Sequence, residues 1–191
     1  FLENEMQWPK GAAYELGGEA EQSADGMASV TNKLPLSFGI ILFLLIIQFN
    51  SVRKTFIVLA TVPLGLIGVM LGLHTFQSYF GFFGFLGMIS LAGIIINNAI
   101  VLLDRIRIER VDNGLPRAKA IEAACHHRMR PILLTTLTTA LGLVPLYLGG
   151  GAMWEPMAVS IMIGLLFGTL ITLVFVPVLY SLLFRAKSQT D

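Results

Sequence analysis

Residues 82–103 read FFGFLGMISLAGIIINNAIVLL, an uncharged run bounded by Gly81 and Asp104. A helix needs roughly 20 apolar residues to cross about 30 Å of hydrocarbon, and this run supplies them. Its large side chains are distributed all round the helical wheel rather than on one stripe, so no face remains for water. A soluble amphipathic bundle fails on that periodicity. The run belongs to a longer charge-free stretch from Thr55 to Leu103. As one helix that stretch would reach about 74 Å at 1.5 Å per residue, so it must fold back. The polar and small residues at His74–Gly81 (HTFQSYFG) mark the turn.

Three further charge-free stretches, Leu34–Val52, Pro131–Trp154 and Pro156–Phe184, each fit one crossing. The expectation is an all-α polytopic membrane protein with five transmembrane helices at about 33–50, 56–75, 82–103, 131–149 and 157–183. Composition agrees: of 191 residues, 55% are hydrophobic and 13% charged, against roughly 25% charged in an average globular chain. One cysteine, Cys125, excludes a disulfide scaffold. His126 and His127 are neighbours in a loop without metal-ligand spacing, so no metal site is expected. A net charge of +1 gives no reason to expect nucleic acid.

Orientation follows from charge placement. Arg53, Lys54, Arg105, Arg107, Arg110, Arg117, Lys119, Arg128, Arg130, Arg185 and Lys187 all fall on one side of a five-crossing chain, eleven of thirteen basic residues. The loops at His74–Gly81 and Gly149–Glu155 hold none. Basic residues favour the cytoplasmic side, which places the N-terminus outside and the C-terminus in the cytoplasm. A chain that begins at Phe1 without a signal peptide reads as a piece of a longer protein.

Residues 1–32 read as the trailing edge of an external domain and a lead-in helix, with Tyr14–Leu16 ending a strand and residues 20–33 running into the first crossing. Residues 1–12 also suit a disordered tail. Residues 115–127 read as a short cytoplasmic surface helix, started near Pro116, and 185–191 as a cytoplasmic tail. Gly68/Gly72 and Gly164/Gly168 form two G-x-x-x-G pairs, which suit close helix contacts. Pro63, Pro145 and Pro177 fall within or near the end of crossings and are expected to kink them.

Polar groups inside a bilayer are costly, and so they point to function. Asn97 and Asn98 lie deep in the third crossing, and Thr135 and Thr139 share a face of the fourth. The asparagines read equally as inter-helix glue or as part of an ion or proton path; for the threonines the leading reading is a hydroxyl that satisfies itself on the i−4 carbonyl. At the cytoplasmic boundary, Asp104 is expected to pair with Arg130 or Arg128. No nucleophile–base set, phosphate loop or carboxylate pair is present, so no enzyme is expected.

The runs QFNS at 48–51, VPLGLIG at 62–68, LAGIIINNAIVLLD at 91–104, RMRPILLTT at 128–136, LGLVPL at 141–146 and VFVPVLY at 174–180 together resemble the C-terminal half of resistance-nodulation-division (RND) transporters. The resemblance covers about Tyr14 to Phe184. It implies the last five helices of a twelve-helix transporter, preceded by the end of a periplasmic porter domain. It further implies a proton-driven exporter of drugs or other small amphiphiles in a bacterial inner membrane. Such a pump needs no cofactor beyond the proton gradient. Its implied partners are its own N-terminal half, two further copies in a trimer, a periplasmic adaptor and an outer-membrane channel. By motif, Thr135 and Arg128 match relay residues, Asn98 keeps the neighbouring asparagine, and Asn97 stands where the family's relay has lysine. A neutral amide cannot form the ion pair a lysine makes with aspartate. The competing readings are a non-pump membrane domain of the same superfamily, of protein-export or sterol-sensing type, and a structural fragment without activity of its own.

Overall fold

The structure, a computed structural model, describes residues 19–185. Five helices follow one another: α1 (Glu19–Phe49), α2 (Val52–Thr75), α3 (Phe82–Val111), α4 (Arg117–Gly149) and α5 (Gly151–Arg185). All five are long and apolar enough to cross a membrane. The expected strand end at Tyr14–Leu16, the alternative of a disordered residue 1–12 segment, and the tail beyond Arg185 lie outside the described residues.

The central element is α5, which packs on α2, α3 and α4, whereas α1 touches α2 and α3 among the described residues. Glycine makes these approaches possible. A Cβ on Gly68 would lie 2.7 Å from the Phe167 Cβ, and one on Gly164 would lie 2.4 Å from the Leu91 Cδ2. Gly72 and Gly168 are as tightly placed, against Ile163 and Ile95. Both G-x-x-x-G pairs therefore sit at helix contacts. Around them lie two apolar cores. One gathers Phe49, Ile57, Leu102, Ile106, Ala124 and Tyr180 at the basic end of the bundle. The other gathers Val69, Leu91, Ile95 and Leu165 nearer the opposite end. Outward faces carry exposed Phe43, Phe56, Leu134 and Val174, the arrangement that lipid permits and water does not.

Three element boundaries differ from the sequence reading. The surface helix expected at 115–127 is not separate: it is the first part of α4, which continues through Pro131. Proline removes one N–H from the i→i−4 ladder, but Ala120 and Ala124, both fully buried, hold this part against the core. The loop expected at Gly149–Glu155 contracts to Gly150. There the Gly150 N–H donates to the Leu146 carbonyl at 2.9 Å, and Gly151 at φ +68° reverses the chain as only glycine does readily. Finally, Arg53 and Lys54 belong to the first turn of α2 rather than to a loop, because Asn50 at φ 44° turns the chain within two residues. The lead-in helix is continuous with the first crossing in α1, and the turn between α2 and α3 falls at residues 76–81.

Candidate functional site

A cleft of about 230 Å3 opens between α3 and α4, backed by Leu165 of α5. The third and fourth crossings supply its polar lining: Asn97 and Asn98 from α3, and Arg128, Thr135, Thr136 and Thr139 from α4. Helical periodicity explains the convergence. Arg128, Thr135 and Thr139 recur at seven and four residues, so they return to one face of α4. The two asparagines point about 100° apart, and both reach the cleft from its α3 side.

Asn97, Thr135 and Thr139 are exposed and Asn98 is half-buried, so within this bundle the polar face looks outward rather than into the core. Thr135 turns its hydroxyl back on its own helix, towards the Pro131 carbonyl at 3.1 Å and the Ile132 carbonyl at 2.9 Å. Thr136, one position on, makes a buried 2.9 Å hydrogen bond with Thr169 of α5. That bond is a buried polar fastening between α4 and α5, and the sequence reading did not single it out. Arg128 is half-buried, its Nε is buried without a hydrogen-bond partner, and it is the one charged side chain among the described residues lining the cleft.

The boundary ion pair is corrected. Among the described residues no ion pair joins Asp104 to Arg130 or Arg128, and Arg130 is exposed. Asp104 is half-buried at the end of the uncharged part of α3 and makes no ion pair among the described residues. The close pair at this end is Arg105 Nη2 with Glu109 Oε1 at 2.6 Å. Glu109 is only 3% exposed, and its other oxygen accepts from Asn113 Nδ2 at 2.7 Å. Arg105, Glu109 and Asn113 recur every four residues, a signal present in the sequence but not used. Arg117 donates to the Phe184 carbonyl, filling one of the acceptors that a helix C-terminus leaves open. At the opposite end, Ser78 donates to Glu155 at 2.8 Å and Phe83 meets Trp154 at 4.8 Å between ring centroids. These contacts tie the 76–81 turn to the start of α5.

Five long apolar helices with a polar cleft between α3 and α4 define a multi-pass membrane chain. The chain belongs to the AcrB/AcrD/AcrF family, an RND transporter family, whose sequence model matches residues 2–184. It is 32% identical over 190 residues to the swarming motility protein SwrC of Bacillus subtilis, covering 97% of this chain and 18% of that protein. To the multidrug resistance protein MdtC of Salmonella enteritidis it is 33% identical over 144 residues, covering 74% of this chain and 14% of that one. The fold matches the crystal structure of a heavy metal efflux pump with a TM-score of 0.75, at 27% identity over 96% of this chain and 18% of the pump. The chain thus spans less than a fifth of the length of these relatives.

Proposed function

We propose that the chain is the C-terminal membrane part of a proton-driven RND efflux pump that exports drugs or other small amphiphiles by proton antiport. The observation that carries the reading is the cleft. Arg128 stands in it beside Asn97, Asn98 and Thr135 with no acid among the lining residues. A half-buried cation in a low-dielectric site favours an ionised carboxylate opposite it. An acid supplied by the pump's N-terminal half would bind a proton when it moves away from Arg128 and release it on return. Asn97 then serves as a neutral hydrogen-bond donor, and Arg128 supplies the positive partner that a lysine at 97 would give. A pump exporting metal cations is the second reading, favoured by the likeness to the heavy metal efflux pump.

In this reading the pump sits in a bacterial inner membrane as a trimer and works with a periplasmic adaptor and an outer-membrane channel. Residues 1–32 end a periplasmic porter domain, and the basic end of the bundle faces the cytoplasm. The orientation is tested by cysteine labelling in intact cells. Cysteine replacing Tyr79, 89% exposed, or Gly149, with open space around a Cβ, should react with an impermeant reagent from outside. Cysteine at Asp112 should react only after permeabilisation. Labelling of Asp112 from outside would invert the topology.

Energy coupling is tested with the full-length transporter in proteoliposomes. Collapsing the proton gradient should stop export of an amphiphilic dye, and ATP should not restore it. Export that persists without a proton gradient would remove the antiport reading. Export of divalent zinc, with no dye export, would favour the metal reading instead.

A further inference from the structure

At the basic end of the bundle, the cations divide into those the protein satisfies and those it does not. Arg105 is held by Glu109, and Arg117 by the Phe184 carbonyl. Lys54, in the first turn of α2, takes part in no ion pair among the described residues, and neither do Arg107 and Arg110 near the end of α3. Yet these three stand at the same end of two packed helices. Lys54 lies one turn before Ile57 and Val58 of α2, which share a core with Leu103 and Ile106 of α3. Arg107 and Arg110 follow directly, with Asp104 as an acid on the same stretch of α3. The cluster therefore carries a net charge of +2, from three cations and one acid. Arg107 and Arg110 are exposed and Lys54 is half-buried, so an incoming anion has access.

Depth along the helices identifies the anion. The charge-free stretch starts at Thr55 and stops at Leu103. Arg107 lies four residues past its end, about 6 Å at 1.5 Å per residue, and Lys54 immediately precedes its start. The headgroup layer on each side of the hydrocarbon is about 5–8 Å thick, so Lys54 and Arg107 fall at the level of lipid phosphates, and Arg110, about 10 Å past the end, reaches back to that level with its long side chain. Val111, one turn beyond Arg107 on the same face, is 67% exposed and gives the cluster an apolar flank. Anionic headgroups attract juxtamembrane basic residues, and a cluster of net charge +2 attracts a lipid phosphodiester carrying one net negative charge.

We propose that Lys54, Arg107 and Arg110 form a binding site for an anionic phospholipid headgroup, bridging the ends of α2 and α3. The site is separate from the cleft between α3 and α4 and does not depend on how transport is driven.

Native mass spectrometry of the purified full-length transporter tests this. The protein is offered phosphatidylglycerol and phosphatidylethanolamine with matched acyl chains. Retained phosphatidylglycerol should exceed phosphatidylethanolamine. The Arg107→Gln/Arg110→Gln variant should lose affinity roughly 25-fold, taking roughly fivefold for each basic residue. Lys54→Gln should lose roughly fivefold, and Lys119→Gln, a basic residue at the same end of the bundle, should bind as the parent does. Because the arginines are exposed, an unchanged helical melting curve separates lost binding from lost folding. Equal retention of the two lipids, or an equal loss in Lys119→Gln, would overturn the site. Displacement of the lipid by sn-glycerol 3-phosphate would show that the cluster reads a soluble phosphate rather than a lipid.

Discussion

Replacing Arg128 with alanine is expected to lower proton-coupled export by at least a hundredfold, with normal amounts of protein in the membrane. The guanidinium is half-buried, lines the cleft and meets no acid there among the described residues. Removing one member of a buried ion pair costs about 3–5 kcal/mol, because the other charge is left without compensation. At about 1.4 kcal/mol per factor of ten, that displaces a protonation-linked equilibrium by more than two decades. Arg128→Lys keeps the charge but loses the planar fork and should recover only part of the activity. Export rates at matched expression check this. Normal export by Arg128→Ala would mean that the arginine only anchors α4 at the membrane surface.

Gly87→Leu is expected to lower assembly of the bundle strongly. A Cβ at Gly87 would stand 2.9 Å from the Met157 carbonyl oxygen and 3.0 Å from the Ser160 Cβ, and neither backbone nor a short side chain can swing away. Overpacking a tight site costs about 1–3 kcal/mol, and a clash with the backbone of the central helix belongs at the upper end. That is a large share of the roughly 5–15 kcal/mol that holds a domain together. Gly93→Leu, on the same helix, meets nothing within 4 Å and is the matched control. The check is the amount of full-length protein extracted from membranes as a single species by size-exclusion chromatography. Equal yields for the two variants would show that the α3–α5 contact is looser than described.

These contrasts show which parts of the molecule were legible in the sequence. The five crossings were legible because the bilayer imposes one length and one composition, and runs such as 82–103 meet both. Helix ends were less so. Gly149–Glu155 looks like a loop by composition, yet the reversal needs only Gly150 and the positive φ of Gly151. Residues 115–127 look like a helix lying on the membrane surface, yet the small Ala120 and Ala124 draw them into the core. Burial by neighbours distant in sequence decides the second case, and no local pattern records it.

The cleft was legible in its members but not in its form. Asn97, Asn98, Arg128 and Thr135 stand out as polar groups within or beside apolar runs, and the structure places all four around one opening. Their exposure was not legible, since it depends on how far α3 and α4 diverge over Leu165. Partner choice among charges was harder still. Among the described residues Asp104 makes no ion pair with Arg130 or Arg128, and nothing in the local sequence distinguishes this outcome from a pair. Glu109 was overlooked because its main partners, Arg105 and Asn113, lie on its own turn of chain.

The central claim is that the polar cleft couples protons to export, and one measurement addresses it directly. Proton influx and dye export are recorded together in proteoliposomes holding equal amounts of full-length Asn97→Ala, Thr135→Ala and Leu137→Ala. Asn97 and Thr135 are exposed in this bundle. Covered by the pump's N-terminal half, each would give up on substitution a hydrogen bond worth about 1–3 kcal/mol, so the two polar variants should lose roughly ten- to a hundredfold in both fluxes. Leu137→Ala, an exposed apolar position on α4, should keep both. If Asn97→Ala and Thr135→Ala carry protons and dye at the rates of the parent, the cleft is structural and the proton path lies elsewhere.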